Sequence, residues 1–298
     1  MTSARATERP SALCELVNAA VSRPVSLSIL ALGEAARARH GEGVEAVLAY
    51  GSCLRGIDPR ETLADLYVLT SSSADVSRSA LSRLGCRLLP PNVYYLELPF
   101  EGLEFRAKYA VLPLSQFEEW VQPKTDNPYF WARFSQPSAL LWTRDEPARE
   151  RVIAGIACAI TTMVGEARRL SPSGDAPAAW EAVLRETYAT ELRSEGGSRG
   201  RSIIAADNDW YEQVFSAAGA SAPARGANWA RRRRRGKLLA MLRLLKAAFT
   251  FQGGADYLAW KIERHSRVKV DLSPWQRRHP IIASLWLVPK LYRRGAFR

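Results

Sequence analysis

The alternation of apolar and polar positions divides the chain into three stretches. In the first, short apolar runs of strand length predict β-strands. These runs are "VEAVLAY", "DLYVLT", "NVYYLELPF", "LEFRAKYAVL" and "SALLW". Glu101-Gly102 separates the third run from the fourth and predicts a hairpin. Residues 12–39 predict two helices broken at Pro24, and "VSRSALSRLG" predicts a helix that ends at Gly85.

After about residue 148 the apolar period lengthens to that of helices. Three helices are predicted, in "RERVIAGIACAITTMVGEARRL", "AAWEAVLRETYATELRSE" and "DNDWYEQVFSAAG", the last with Asp207 as a candidate N-cap. The pattern therefore predicts an α/β (α+β) domain with a mixed sheet over residues 1–148. A helical domain follows over residues 149–228, and a basic amphipathic tail over residues 229–298.

Charge separates the tail from the rest of the chain. The net charge is +12, and residues 231–298 hold 18 Lys and Arg against three acids. Residues 1–230 hold 24 basic and 27 acidic side chains. A near-neutral body with a cationic end predicts an anionic partner for that end.

Apolar positions within the tail leave three interpretations open. One helical face holds Leu238, Met241, Leu242, Leu245 and Phe249, while Lys237, Arg243 and Lys246 fall elsewhere on the helix. Leucines and tryptophans among basic residues suit an anionic membrane surface, which we rank first. Packing of the leucine face on the body, with solvated arginines, ranks second. Nucleic-acid binding ranks third, because a basic patch alone does not distinguish lipid phosphates from those of RNA or DNA.

Cysteine and histidine spacing gives no metal or disulfide pattern. Four cysteines lie far apart and three histidines share no ligand spacing, so a reducing compartment is expected. The longest apolar run, "PIIASLWLVP", is about half the ~18 residues of a membrane span. We expect a soluble or peripheral protein, cytoplasmic at the inner face of a membrane, or on the matrix side if it is mitochondrial.

Residues 48–70 hold the strongest candidate chemistry. An apolar run ends on Gly51-Ser52, and the next run contains Asp65. A glycine lets backbone N–H groups and a serine hydroxyl approach a triphosphate, and a carboxylate on the neighbouring strand can hold Mg²⁺ against it. Leu63 and Tyr67 occupy the positions where a D-x-D pair would place its second acid. An ordinary loop between two buried strands is the alternative.

Seven motifs follow one another between about residues 47 and 265. They are "AYGSC", "LADLYVL", "NVYY", "FRAKYAVLPLSQFEEW", "YFWARFSQP", "TYATELR" and "RGKLLAMLRLLKAAFTFQGGADYLAWKI". In this order they resemble the mitochondrial matrix-type phosphatidate cytidylyltransferases (the translocator assembly and maintenance family), which belong to the polymerase-β-like nucleotidyltransferase superfamily. Cys53, Ala110 and Gln136 depart from the family pattern and indicate a divergent relative.

The resemblance implies transfer of CMP from CTP to phosphatidic acid, which gives CDP-diacylglycerol and pyrophosphate. It implies Mg²⁺ as the cofactor and Asp65 as a catalytic metal ligand. For the second metal-binding carboxylate the candidates are Glu97, Glu104 and Glu191, and the motif position favours Glu191. Gly51 and Ser52 are implied to contact the triphosphate.

Three cations complete the predicted site. Lys108 aligns with the family's lysine and is implied to be catalytic. Arg106 lies on the same strand face, and its alternative role is that of an exposed surface residue. Arg133 and Arg193 are implied to clamp phosphate bidentately. Their alternative role is that of surface ion-pair partners.

Two functional alternatives remain. The first is a nucleotidyltransferase with another acceptor, such as an RNA end or a small molecule. The second is a catalytically inactive membrane or nucleic-acid adaptor. The absent D-x-D partner favours the adaptor, and the retained Gly51, Ser52, Asp65 and Arg133 oppose it.

Overall fold

A mixed β-sheet forms the centre of the computed structural model, which describes residues 11–55, 63–192, 198–219, 228–251, 253–266 and 268–293. Within these residues the sheet has five strands in the order β3-β4-β2-β1-β5. The strands are β1 (Val44–Tyr50), β2 (Ala64–Thr70), β3 (Asn92–Phe100), β4 (Leu103–Pro113) and β5 (Ser138–Thr143). β2 and β4 run parallel and the other neighbours run antiparallel. The predicted α/β fold class with a mixed sheet is confirmed.

Helices of the first stretch cover both faces of this sheet. They are α1 (Ala12–Val21), α2 (Leu27–Ala38), α3 (Ala80–Leu88), α4 (Leu114–Trp120) and α5 (Tyr129–Phe134). α2 packs across all five strands on one face, and α4 and α5 lie on the other. The predicted break at Pro24 falls between α1 and α2. α3 passes through Gly85 instead of ending there as predicted, and the absent side chain leaves room for Lys246.

Four helices of the middle stretch pack beside the sheet. They are α6 (Glu146–Leu170), α7 (Ala176–Tyr188), α8 (Ser198–Ala205) and α9 (Asn208–Ala217). Asp145 and Asp175 cap α6 and α7 by accepting backbone N–H bonds of 2.8 and 2.9 Å. Asp207 occupies the N-cap position of α9, as predicted, without a side-chain capping bond. The sequence pattern did not predict α8.

The basic C-terminal stretch is helical where it is described. Its helices are α10 (Trp229–Thr250), α11 (Gly254–Ser266), α12 (Pro274–Arg278) and α13 (Pro280–Arg293). α10 begins with a buried ion pair, in which Arg232 lies 3.2 Å from Glu166, at 3 % and 0 % exposure. The Arg232 guanidinium also lies 4.9 Å and 5.0 Å from the ring centroids of Trp131 and Trp229. The start of this stretch is therefore docked on the body, while the predicted domain boundaries stay a prediction.

Candidate active site

The turn after β1 brings the backbone of Gly51 next to Asp65. Gly51 has a φ of +81°, in the left-handed region where glycine is favoured. Antiparallel pairing aligns Tyr50 with Asp65 across β1 and β2. A side-chain carbon on Gly51 would lie 3.5 Å from the Asp65 carboxylate. The turn that begins with Gly51-Ser52 and the carboxylate of Asp65 therefore adjoin, as the sequence predicts for a phosphate site.

Parallel pairing of β2 with β4 places Lys108 beside Asp65. The two residues are register partners, so their side chains leave the sheet on the same face. Lys108 Nζ lies 3.2 Å from Asp65 Oδ1, with side chains 38 % and 26 % exposed. The Asp65 carboxylate raises the pKa of Lys108, with burial opposing. This lysine stays charged at neutral pH and partly neutralises the carboxylate.

A second ion pair joins α5 to the segment after α7. Arg133 Nη1 donates to Glu191 Oε1 at 3.0 Å and to the carbonyl oxygen of Tyr129 at 3.1 Å. Its guanidinium lies 3.6 Å from the Tyr129 ring centroid. These contacts hold Arg133 in one orientation, with its charge balanced by Glu191.

Both ion pairs line one cavity of about 690 Å³ between the sheet and α10. Gly51, Ser52, Asp65, Lys108, Arg133 and Glu191, six of the predicted site residues, line it together. Arg193, the seventh, lies outside the described residues. Glu97 and Glu104 bond instead to Arg106, at 3.1 and 2.7 Å, and do not line this cavity. The structure thus brings the favoured carboxylate, Glu191, to the site.

Sequence reasoning missed several residues of this cavity, among them Asn127, Tyr129, Arg243 and Lys246. For Arg243 and Lys246, the sequence showed only that they lie off the leucine face of α10. That pattern does not reveal which face of a helix meets the body. With Arg55 and Lys261, the described lining holds six cations and two carboxylates, so the cavity is strongly cationic.

Two departures from the family pattern are neutral and buried. The Cys53 thiol donates to the carbonyl oxygen of Tyr50 at 3.2 Å, and burial raises its pKa to about 11. Gln136 donates to Ala132 at 2.7 Å and to the Tyr188 hydroxyl at 3.3 Å. At this position, where the resemblance predicts a lysine, the chain has a neutral amide and contributes no cation to the cavity.

The donor set fits Mg²⁺ only together with substrate oxygens. The described residues include no group of three or more His, Cys, Asp or Glu side chains placed to hold a metal ion. Asp65 and Glu191 each pair with a cation. Magnesium in such sites is bound through one or two carboxylates plus substrate phosphates, and Asp65 meets that requirement. The predicted Mg²⁺ stays a prediction.

An exposed apolar surface adjoins the cavity. Helix α10 turns Arg243 inward and exposes its leucine face, so the described part of that face does not pack on the body. We define the leucine surface as Leu238, Met241, Leu242 and Leu245 of α10 with Leu81, Leu84 and Leu88 of α3, all between 42 and 71 % exposed. The two helices meet where the Lys246 side chain packs on Gly85. The side chain of Phe249 lies outside the described part.

No helix in the described ranges combines the length and apolar character needed to cross a membrane. A larger cavity, of about 860 Å³, lies against the other sheet face, beside His40, Tyr94 and Tyr109. None of the described site residues lines it. The predicted chemistry therefore belongs to the cavity beneath α10.

Comparisons with known proteins leave the family open. No protein-family profile matches the chain, and no curated protein matches it. One solved structure, a nucleotidyltransferase-like protein from Exiguobacterium sibiricum 255-15, aligns over 90 % of this chain and 92 % of its own. The alignment has 11 % identity and a TM-score of 0.26. A similarity this low carries no argument about the function of this chain.

Proposed function

We propose that the chain is a nucleotidyltransferase that transfers CMP from CTP to a lipid phosphate, of the phosphatidate cytidylyltransferase type. The observation that carries this proposal is the single cationic cavity into which Gly51, Ser52, Asp65 and Lys108 converge. The motif order along the chain supports the same reaction.

Phosphoryl-transfer chemistry needs little from such a site beyond position and charge. An oxygen of the acceptor phosphate attacks the α-phosphorus of CTP and forms a new P–O bond. The bond from that phosphorus to the β-phosphate oxygen breaks, and pyrophosphate leaves with the electron pair. Because the acceptor is already anionic, no general base is required. Mg²⁺ would neutralise phosphate charge beside Asp65, while Lys108 and Arg133 stabilise the developing negative charge.

The leucine surface supports a lipid acceptor. It borders the α10 side of the cavity, where Leu244 is both exposed and part of the lining. Lys237 and Arg234 on α10, and Arg87 on α3, are exposed on the same two helices. Exposed leucines among cations suit the headgroup region of an anionic bilayer, as the sequence predicts for residues 231–298. A soluble acceptor gives no reason for this surface.

The test combines purified protein, vesicles with phosphatidic acid, Mg²⁺ and CTP labelled on its α-phosphate. We expect label in the organic phase with the native chain and none with Asp65→Asn. The matched control is Asp75→Asn, because Asp75 accepts bonds from Ser71 and Ser72 and lines the other cavity.

Other outcomes would select the alternatives. Label on RNA or on a small hydroxyl compound, with none in lipid, would change the acceptor. Vesicle binding without any transfer by the native chain would indicate an inactive adaptor. Either result contradicts the lipid cytidylyltransferase proposal.

A further inference from the structure

The cations that line the cavity differ in their counter-ions. Lys108 and Arg133 each face a carboxylate. Within the described part of the chain, Arg243 and Lys246 have no carboxylate at ion-pair distance. Arg243 Nε donates to the carbonyl oxygen of Pro90 at 2.9 Å. Lys246 Nζ donates to the carbonyl oxygens of Leu89 and Pro91 at 2.6 Å each and to Asn92 Oδ1 at 3.0 Å.

Neutral oxygens solvate these two charges without cancelling them. Burial lowers the pKa of Arg243, and it lowers that of Lys246 to about 8. A partly buried cation without a counter-ion is unfavourable, and an anion at the same place removes that penalty. Two such cations on one helix turn match a ligand with two negative charges.

Two buried N–H donors in the same part of the cavity also lack an acceptor among the described residues. They are Arg243 Nη2 and Asn127 Nδ2, and Asn127 is 5 % exposed. The Asn127 amide has a fixed orientation, because its Oδ1 accepts from the backbone N–H of Tyr129 at 3.1 Å. The Arg243 guanidinium lies 4.3 Å from the Tyr129 ring centroid. Both donors therefore border Tyr129.

We propose that this wall of the cavity is a second phosphate subsite, which binds a phosphate monoester through Arg243 Nη2 and Asn127 Nδ2. Lys246 contributes charge alone, since its three N–H donors already have acceptors. The subsite uses none of Gly51, Ser52 and Asp65 and, resting on the proposed function, holds the acceptor phosphate while the nucleotide binds at those three residues. A monoester dianion supplies both the charge and the oxygens that this wall lacks.

The test measures binding without turnover, by calorimetric titration of the full-length protein. The probes are glycerol 3-phosphate, dihexanoyl phosphatidic acid, inorganic phosphate and CTP. Asn127→Asp keeps the bond to Tyr129 and replaces the donor by a carboxylate oxygen. We expect it to weaken monoester binding by about tenfold or more, and CTP binding by less than about threefold. Arg243→Met has the same expected pattern, and Arg243→Lys an intermediate loss.

Matched controls carry the same charge changes elsewhere. Asn208→Asp adds a carboxylate on the surface, where Asn208 bonds to Glu212, and Arg277→Met removes an exposed cation that pairs with Asp256. Both should leave all affinities unchanged, and thermal midpoints report whether each variant folds. Tighter binding of phosphatidic acid than of glycerol 3-phosphate would identify a lipid headgroup as the source, and equal binding a free phosphate.

Three results would overturn the subsite. They are no monoester binding by the native chain, monoester affinity unaffected by Asn127→Asp and Arg243→Met, or a loss confined to CTP. Failure of label transfer with intact, Asn127-dependent monoester binding would instead refute the proposed reaction and leave the subsite standing.

Discussion

The two walls of the cavity hold lysines in opposite electrostatic states. On the sheet wall, Asp65 lies 3.2 Å from Lys108 and raises its pKa. On the α10 wall, Lys246 is surrounded by carbonyl and amide oxygens, and burial lowers its pKa to about 8. One wall is neutralised within the protein, and the other is left charged. Under the proposed function, the first wall organises the reaction and the second binds the anionic acceptor.

The largest effect should follow from making the sheet wall resemble the α10 wall. Asp65→Asn leaves Lys108 without its carboxylate and removes the predicted metal ligand. We expect label transfer to lipid to fall by about 10³-fold or more. Transfer within tenfold of the native rate would contradict the assignment of Asp65.

The next largest effect is expected from the buried ion pair that attaches α10 to the body. Glu166→Gln leaves Arg232 buried without its counter-ion, and a charge stranded in this way costs about 3–5 kcal/mol. Urea unfolding should show this loss. The control, Glu34→Gln, removes an i,i+3 pair with Arg37 on the solvent side of α2, which contributes about 0–1 kcal/mol. Equal losses in both variants would contradict a structural role for the buried pair.

A smaller effect is expected from the outer side of the α10 wall. Replacing Leu81, Leu84 and Leu88 by Gln removes the α3 half of the leucine surface. Binding to anionic vesicles should weaken by about tenfold, because less apolar area enters the headgroup region. Leu27→Gln and Leu103→Gln, at other exposed leucines, should not change it. Unchanged vesicle binding in the triple variant would restrict the membrane contact to the C-terminal helices.

The smallest effect is expected in the pH dependence of the free energy of unfolding, to which Lys246 and Lys108 contribute with opposite sign. Between pH 8 and 10.5 the unfolded chain keeps a proton on Lys246 that the native chain has released. The free energy of unfolding should therefore rise with pH in this window relative to Lys246→Met. Lys108, whose pKa is raised, stabilises the fold below its unfolded pKa, and this stabilisation is lost at higher pH. Denaturant titrations at a series of pH values give the free energy of unfolding of each variant. Its difference from the native chain should change with pH in opposite directions for Lys246→Met and Lys108→Met.

The sheet wall could be predicted from sequence because the apolar runs that form strands, and the alternation of side chains along them, are local patterns. The apolar runs located β1 and β2, with β1 at the bounds the structure gives. A glycine at a strand end and one acid in the next strand made Gly51 and Asp65 candidates, and the family resemblance favoured them over an ordinary loop. The period-2 alternation of strands then placed Lys108 on a defined face.

The α10 wall could not be predicted in the same way. The helical period separated the leucines from Arg243 and Lys246, but a period does not state which face meets the protein. That choice depends on the carbonyl oxygens of Leu89, Pro90 and Pro91, which the sequence pattern does not locate. Asn127 was missed for a related reason. Its proposed role rests on one N–H donor that has no acceptor among the described residues. The sequence does not show which donors lack an acceptor in the folded chain.

Gly236 is the position of closest approach between α10 and Thr190. A methyl group on Gly236 would lie 2.6 Å from Thr190 Cβ and 2.8 Å from the Thr190 carbonyl oxygen. A residue larger than glycine therefore requires a shift of the helix or of Thr190. In a saturation scan of α10, Gly236 should accept almost no replacement, while the exposed Arg234 two positions earlier accepts most. The close approach of α10 to the body at this point therefore depends on one missing side chain.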